Sequence, residues 1–217
     1  FDLDSTLIEI EGLDELAREA GCYDAVAQIT ESAMRGELDF TASFTKRVAL
    51  LRGLPRSAVA QVMARLKLTP GADFLFQFFR SKGIESAILS GGFDFFAEPV
   101  ASRLGAGTVV CNRLQWDGEL ASGAPVLPIV GAERKASALR DLRDQLSVSF
   151  HATIGVGDGA NDIPLIREAG AGIAFHAKPK VREAAPLALD RRDLRLLLLL
   201  LGFDWNEISE FSFEPIA

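Results

Sequence analysis

The sequence predicts an α/β fold in which a parallel sheet, flanked by helices, is interrupted by an all-helical insertion and a small β-hairpin. Three observations predict it. Short apolar runs alternate with helix-period stretches along most of the chain. Between residues 12 and 69 that alternation stops and only amphipathic helical patterns remain. Polar residues with chemical potential recur where the apolar runs end, which is where ligands gather in parallel sheets.

The first apolar run ends at Asp4, and others cover 85–89, 108–111, 152–156 and 172–175. Each is short and apolar enough for a strand buried on both faces. Helix-period stretches at 73–82, 97–104, 134–146 and 163–169 lie among them, implying right-handed crossovers on a parallel sheet. In the insertion, Leu13, Leu16, Ala17 and Ala20 share one helical face, as do Val59, Val62, Met63 and Leu66. Pro55 suits a helix start and Pro70 an exit. A connection of this length far exceeds an ordinary crossover, so the segment reads as a lid over whatever the first strand end binds; additional core helices are the alternative. The expected division is a core of 1–11 and 70–217 with a helical cap of 12–69. Residues 114–120 alternate around Asp117-Gly118, a hairpin signal. The leucine run 196–201 is far shorter than the roughly 20 apolar residues that span a bilayer. Arg191, Arg192 and Arg195 crowd its start, so it reads as a core-packed helix. The tail from Gly202, with Trp205 and three phenylalanines, suits packing on the core or on a second subunit.

At 217 residues and 48% hydrophobic, the chain fits one large domain or a core carrying a smaller inserted one. A net charge of −7 argues against a nucleic-acid partner while leaving a small anionic substrate open. Cys22 and Cys111, far apart, fit a reducing cytoplasm better than a disulfide framework. A membrane partner is not expected, and either a monomer or a homodimer is compatible.

Asp2 and Asp4 lie two positions apart, on one side of an extended segment. Such a pair marks either a turn or two acids sharing a cation or proton. Ser90-Gly91-Gly92 follows the second strand and offers a hydroxyl and open N–H groups to an anion, although Gly-Gly also serves plain turns. Lys135 opens the helix before strand four, where an isolated lysine is commonly solvated. Gly157-Asp158-Gly159-Ala160-Asn161-Asp162 follows strand four; two acids and an amide exceed what a turn needs. Together these groups suit phosphoryl transfer. Their hard oxygen donors suit Mg²⁺, whereas His151 and His176 stand apart and form no zinc cluster.

Asp2-Leu3-Asp4-Ser5-Thr6, Ser90-Gly91-Gly92-Phe93, Lys135 and Gly157–Asp162 resemble, in order, the four motifs of the haloacid dehalogenase (HAD) superfamily. Within it the chain resembles phosphoserine phosphatases, through Asp14-Glu15-Leu16-Ala17 and Lys46-Arg47-Val48 of the lid and through Ser90-Gly91-Gly92-Phe93. The resemblance implies a Rossmann-like, HAD-like core and an aspartyl-phosphate mechanism. By it Asp2 is the nucleophile and Asp4 the acid–base group. Mg²⁺ would be held by Asp2, the Asp4 carbonyl and Asp158, with Asp162 orienting that shell. Ser90, Gly91 and Lys135 would bind the phosphoryl oxygens, and Asn161 would position Lys135 or substrate. Glu11 would meet the substrate ammonium and Arg47 its carboxylate, with Phe40 and Met34 closing an apolar wall. The implied activity is hydrolysis of O-phospho-L-serine, the last step of serine biosynthesis. A phosphotransferase, a phosphatase for another small phosphomonoester and a receiver-like phospho-acceptor module are the alternatives. The family's first strand has several apolar residues before its nucleophile, whereas only Phe1 precedes Asp2 here. The expectation is a native chain that extends upstream.

Overall fold

The computed structural model describes residues 1–34 and 37–214, the side chain of Met34 excepted. The chain opens on an extended segment and then forms four helices, α1 (Gly12–Glu19), α2 (Tyr23–Met34), α3 (Phe40–Ala49) and α4 (Arg56–Arg65). After them come α5 (Ala72–Ser81), β1 (Ala87–Phe93), α6 (Asp94–Leu104) and β2 (Thr108–Asn112). β3 (Leu114–Asp117), β4 (Leu120–Pro125) and α7 (Ala132–Gln145) follow. The chain continues through β5 (Ile154–Gly157), α8 (Ile163–Glu168), β6 (Ala171–Phe175), α9 (Pro179–Ala184), β7 (Leu187–Leu189), α10 (Leu196–Leu200) and α11 (Trp205–Ser209).

β1 and β2 pair in parallel, as do β5, β6 and β7 in that order. The opening residues join the two sets. Phe1 N donates to Ala87 O at 2.9 Å and Leu89 N to Phe1 O at 2.8 Å, while Asp2 N donates to Val156 O at 2.9 Å. The sheet therefore runs β2, β1, residues 1–3, β5, β6, β7. The chain leaves its centre in both directions, so the switch point, where parallel sheets open a crevice, lies beside Asp2.

Side chains alternate between the two faces. Ile88 joins the main core with Phe76, Phe79 and Phe96, whereas Leu89 packs with Ala138 of α7 and Leu165 of α8. α5 is built for this burial: Leu75, Phe76, Phe78 and Phe79 form its inner stripe. The tail covers the far side of α5, with Phe203 and Phe211 against Phe78 and Phe213 against Phe74. Of the tail's expected destinations, the core is the one seen within this chain. Leu197 and Leu198 of α10 are buried, although Leu199 and Leu200 remain exposed.

The four-helix segment enters and leaves through a paired stem. Ile8 bridges Leu68 antiparallel, Glu9 N donates to Lys67 O and Thr69 N to Leu7 O. The β3–β4 hairpin turns at Gly118, whose φ of 59° suits the first position of a two-residue hairpin loop. It docks on the segment's far end, where Gly53 N donates to Ala121 O, Ala121 N to Leu54 O and Arg56 N to Glu119 O.

Three details differ from the sequence pattern. β1 continues through Ser90-Gly91-Gly92 to Phe93 instead of turning after Leu89, because Phe93 still pairs with Asn112 after a register shift. α6 begins at Asp94, three residues earlier than the periodicity suggested, because the unbroken apolar run Phe95-Phe96-Ala97 hides the helical repeat. β7 was not expected: three residues are too few to show a pattern, and their pairing exists only because β6 lies alongside.

Candidate active site

Three strand ends and one helix converge at the switch point. Asp2 lies on the central segment, Ser90 and Gly91 near the end of β1, and Asp158 just after β5. Lys135 reaches in from the first turn of α7, its side chain fully buried. Its Nζ donates to Asp2 Oδ1 and to Asp162 Oδ1, both at 2.7 Å. Burial alone would lower the Lys135 pKa, but Asp162 and Asp2 outweigh it and hold the ammonium protonated above its usual range. Asp162 also ties down its own loop, since Oδ2 accepts from Asp158 N at 3.2 Å and Gly159 N at 3.0 Å. Thr6 Oγ1 donates to Asp158 Oδ1 at 3.3 Å.

Carboxylate oxygens of Asp2, Asp158 and Asp162 lie within 4.8 Å of one another. Three carboxylates against one ammonium leave two negative charges uncompensated in a mostly buried space. Burial raises Asp2 well above the usual carboxylate range, with Asp162 adding to the effect and Lys135 opposing it. Burial, then Asp162 and Glu11, push Asp158 up to about 7. Two carboxyls this reluctant to ionise, in a cluster with only hard oxygen donors, fit a divalent cation.

Asp4 stands apart from the cluster. Its Oδ1 accepts from Gly12 N, the first residue of α1, at 2.7 Å, so it satisfies a helix N–H that Glu11, at the cap position, leaves open. Burial, followed by the charge of Glu11, raises Asp4 to about 7. Its Oδ2 lies against Gly92: a Cβ on Gly92 would collide with it and stand 3.1 Å from Ser90 Oγ. Ser90 Oγ, fully buried, accepts from Gly92 N at 2.8 Å.

The face of α3 closes the crevice. Asp39 caps this helix by accepting from Ala42 N, which presents Phe40 at its first position. The Phe40 ring lies over two glycines; a Cβ would meet it at 3.0 Å on Gly91 and 3.1 Å on Gly131. One stripe further along, the Arg47 guanidinium faces the charges of Asp14, Glu11 and Asp4. Burial lowers its pKa while those acids oppose the shift, and its Nε is buried without a hydrogen-bond partner.

A family model described as haloacid dehalogenase-like hydrolase matches residues 1–167. The chain belongs to that family. A curated member, the phosphoserine phosphatase SerB2 of Mycobacterium tuberculosis, is 45% identical over 96% of this chain, which spans only 51% of that protein's length. A solved structure described as a phospho-aspartyl intermediate analogue of phosphoserine phosphatase shares 37% identity with a TM-score of 0.87, covering 92% of this chain and 96% of its own. A substrate-bound phosphoserine phosphatase complex gives 36% identity and a TM-score of 0.87, covering 92% and 95%. The HAD-like α/β fold expected from the motifs is therefore the fold of this chain.

Within the HAD frame, Asp2, Asp4, Ser90, Gly91, Lys135, Asp158 and Asp162 come together from four separate segments. Glu11 lies at the rim, exposed, and its Oε1 accepts from Ser5 Oγ at 2.6 Å. Met34 closes α2, and its side chain lies outside the described residues. Of the two roles expected for Asn161, positioning Lys135 or substrate, its contacts do not support the first. Lys135 bonds to Asp2 and Asp162, whereas the Asn161 amide lies beside Gly91, with Nδ2 3.8 Å from where a Cβ would stand. The carboxylate wins the lysine because an ion pair outweighs an amide contact inside a buried site.

Asn112 was missed. It ends β2, is 1% exposed, and donates from Nδ2 to Gly91 O at 2.9 Å and Val130 O at 3.0 Å. Its Oδ1 accepts from Val130 N at 2.7 Å. It thereby sets the Gly91 backbone of β1 against the Val130-Gly131 turn from which α7 carries Lys135. The available signal was a lone amide closing the apolar run Val109-Val110-Cys111 at a strand's carboxyl end. Gly12 and Gly131 were also missed; their role is close approach, which a sequence does not display.

Proposed function

We propose that the chain is a Mg²⁺-dependent phosphatase that hydrolyses O-phospho-L-serine through a phosphorylated Asp2. The observation that carries this reading is the pair of 2.7 Å contacts from Lys135 to Asp2 and Asp162, which aim a nucleophilic carboxylate into the crevice beside Ser90 and Gly91. Asp2, the Asp4 carbonyl and Asp158 are the residues to hold Mg²⁺, with Asp162 bracing them; when bound it neutralises charge on the phosphoryl oxygens.

In the first step an Asp2 oxygen forms a bond to phosphorus as the bond from phosphorus to the serine oxygen breaks. Asp4 gives its proton to that leaving oxygen. In the second step Asp4 takes a proton from water, whose oxygen attacks phosphorus and frees Asp2. Ser90 Oγ, the Gly91 backbone and the Lys135 ammonium bind the equatorial oxygens throughout.

The substrate assignment is supported by the likeness to two solved phosphoserine phosphatase structures and by the rim of opposite charges. Glu11 offers a carboxylate for an ammonium, and Arg47 a guanidinium for a carboxylate, across the mouth that Phe40 roofs. We take 12–69 as a cap that closes on substrate through its paired stem, and 1–11 with 70–214 as the core. No helix among the described residues is long and apolar enough to cross a membrane, and a cytoplasmic enzyme acting as monomer or homodimer fits this reading. Phosphate release should be fastest with O-phospho-L-serine among small phosphomonoesters, should require Mg²⁺, and should vanish in Asp2→Asn. Rapid turnover of sugar phosphates with phosphoserine inert would reject the substrate.

A further inference from the structure

Two neighbouring polar atoms of α3, Ser43 Oγ and Arg47 Nε, are buried without a hydrogen-bond partner. Buried polar groups are nearly always paired, so two orphans one helical turn apart call for a common cause. A serine inside a helix ordinarily returns its hydroxyl to the carbonyl four residues back. Thr30 in α2 does so, donating to Val26 O at 3.1 Å. Ser43 does not: Asp39 O receives the Ser43 N–H at 3.0 Å, and the hydroxyl is left over.

The direction of Ser43 follows from its neighbours. Residues 40, 43, 44 and 47 share one face of a helix. Phe40 covers Gly91 and Gly131, Phe44 packs on Phe93 at 5.6 Å, and Arg47 faces Asp14, Glu11 and Asp4. Ser43 is 2% exposed and sits between the ring that roofs the phosphate loop and the guanidinium at the amino-acid end of the crevice.

We propose that Ser43 is a specificity residue: its hydroxyl donates to one oxygen of a substrate carboxylate while Arg47 Nε donates to that carboxylate as well. This rests on the phosphoserine reading and extends it. The phosphoester end is served by Ser90, Gly91 and Lys135, and the ammonium by Glu11, so the carboxylate is the group that two adjacent orphan donors match. The orphans are then the cost of a site prepared for a ligand.

The test compares kcat/KM for O-phospho-L-serine and phosphoethanolamine, which has the same ester and ammonium but no carboxylate, in wild type and Ser43→Ala with Mg²⁺. The ratio of the two should fall about 10-fold or more in Ser43→Ala, the usual loss of one hydrogen bond to a charged group, and chiefly through KM. The ligand-free variant should melt no lower than wild type, because it sheds a buried unpaired hydroxyl. An unchanged ratio, or equal losses on both substrates with a lowered melting temperature, overturns the assignment of Ser43 and leaves the substrate reading intact. A wild-type protein that does not prefer phosphoserine overturns the substrate reading, and Ser43's role with it.

Discussion

Replacing Gly92 with alanine adds one methyl group to the strand edge beneath Asp4. Gly92 does not adopt a positive φ, so alanine fits the backbone without strain. The new Cβ would lie 3.1 Å from Ser90 Oγ and closer still to Asp4 Oδ2. Carbon–oxygen contacts settle at about 3.3–3.6 Å, so the Asp4 carboxyl must retreat by roughly 1 Å. Its other oxygen is held by Gly12 N at 2.7 Å, which resists a simple swing. A misplacement of roughly 1 Å at a reacting group costs on the order of 100-fold, within the 10²–10⁴ that acid–base help supplies. We expect kcat for phosphoserine to fall by about that factor, with overpacking lowering stability by about 1–3 kcal/mol. Steady-state phosphate release gives kcat, and acid quenching measures phosphorylated enzyme. With p-nitrophenyl phosphate, whose leaving group needs no proton, phosphorylation should be spared relative to hydrolysis, and phosphoenzyme should accumulate. A folded Gly92→Ala protein with near-wild-type kcat would refute the placement of Asp4 as the proton-transfer group.

Two further predictions concern the support and the charge of the site. Asn112→Ala removes the bonds to Gly91 O, Val130 O and Val130 N, and at about 1 kcal/mol each should cost roughly 3 kcal/mol in urea unfolding, with a higher KM. Asn112→Asp should not rescue it, since a carboxylate cannot donate to the two carbonyls. Asp4 and Asp158 are raised from 3.8 to about 7, so between those values the folded, metal-free protein keeps protons that the unfolded chain has released. Its melting temperature should therefore fall as pH rises from about 4 toward 7, and Mg²⁺ should reverse the fall by favouring the ionised carboxylates. Scans in EDTA that show no pH trend, or no response to Mg²⁺, would contradict the charge balance described for the cluster.

The chemistry was legible in the sequence because each motif is local. Asp2-Leu3-Asp4, Ser90-Gly91-Gly92 and Gly157–Asp162 are consecutive residues whose spacing carries meaning before any fold is known. The sheet was legible because buried strands demand apolar runs, and the helical insertion because nothing in it alternates. Partner choice was not. Lys135 in sequence is one lysine near a helix start, and only burial between Asp2 and Asp162 makes it a fixed ammonium. The resemblance assigned Asp162 to the metal shell, and only the structure shows that its Oδ1 also accepts from Lys135 Nζ.

The sequence by itself determined the family, the α/β core, the helical insertion and most of the groups at the crevice, because residue type and short spacing carry that information. Tertiary structure alone decided the order of the sheet, in which Phe1 and Asp2 link β1 to β5 through three hydrogen bonds. It also decided the roles of Asn112, Gly92 and Ser43, which depend on what lies across a gap of a few ångströms from residues far away in the chain. Close approach, burial and an unpaired donor are properties of the packed molecule, and no run of neighbouring residues encodes them.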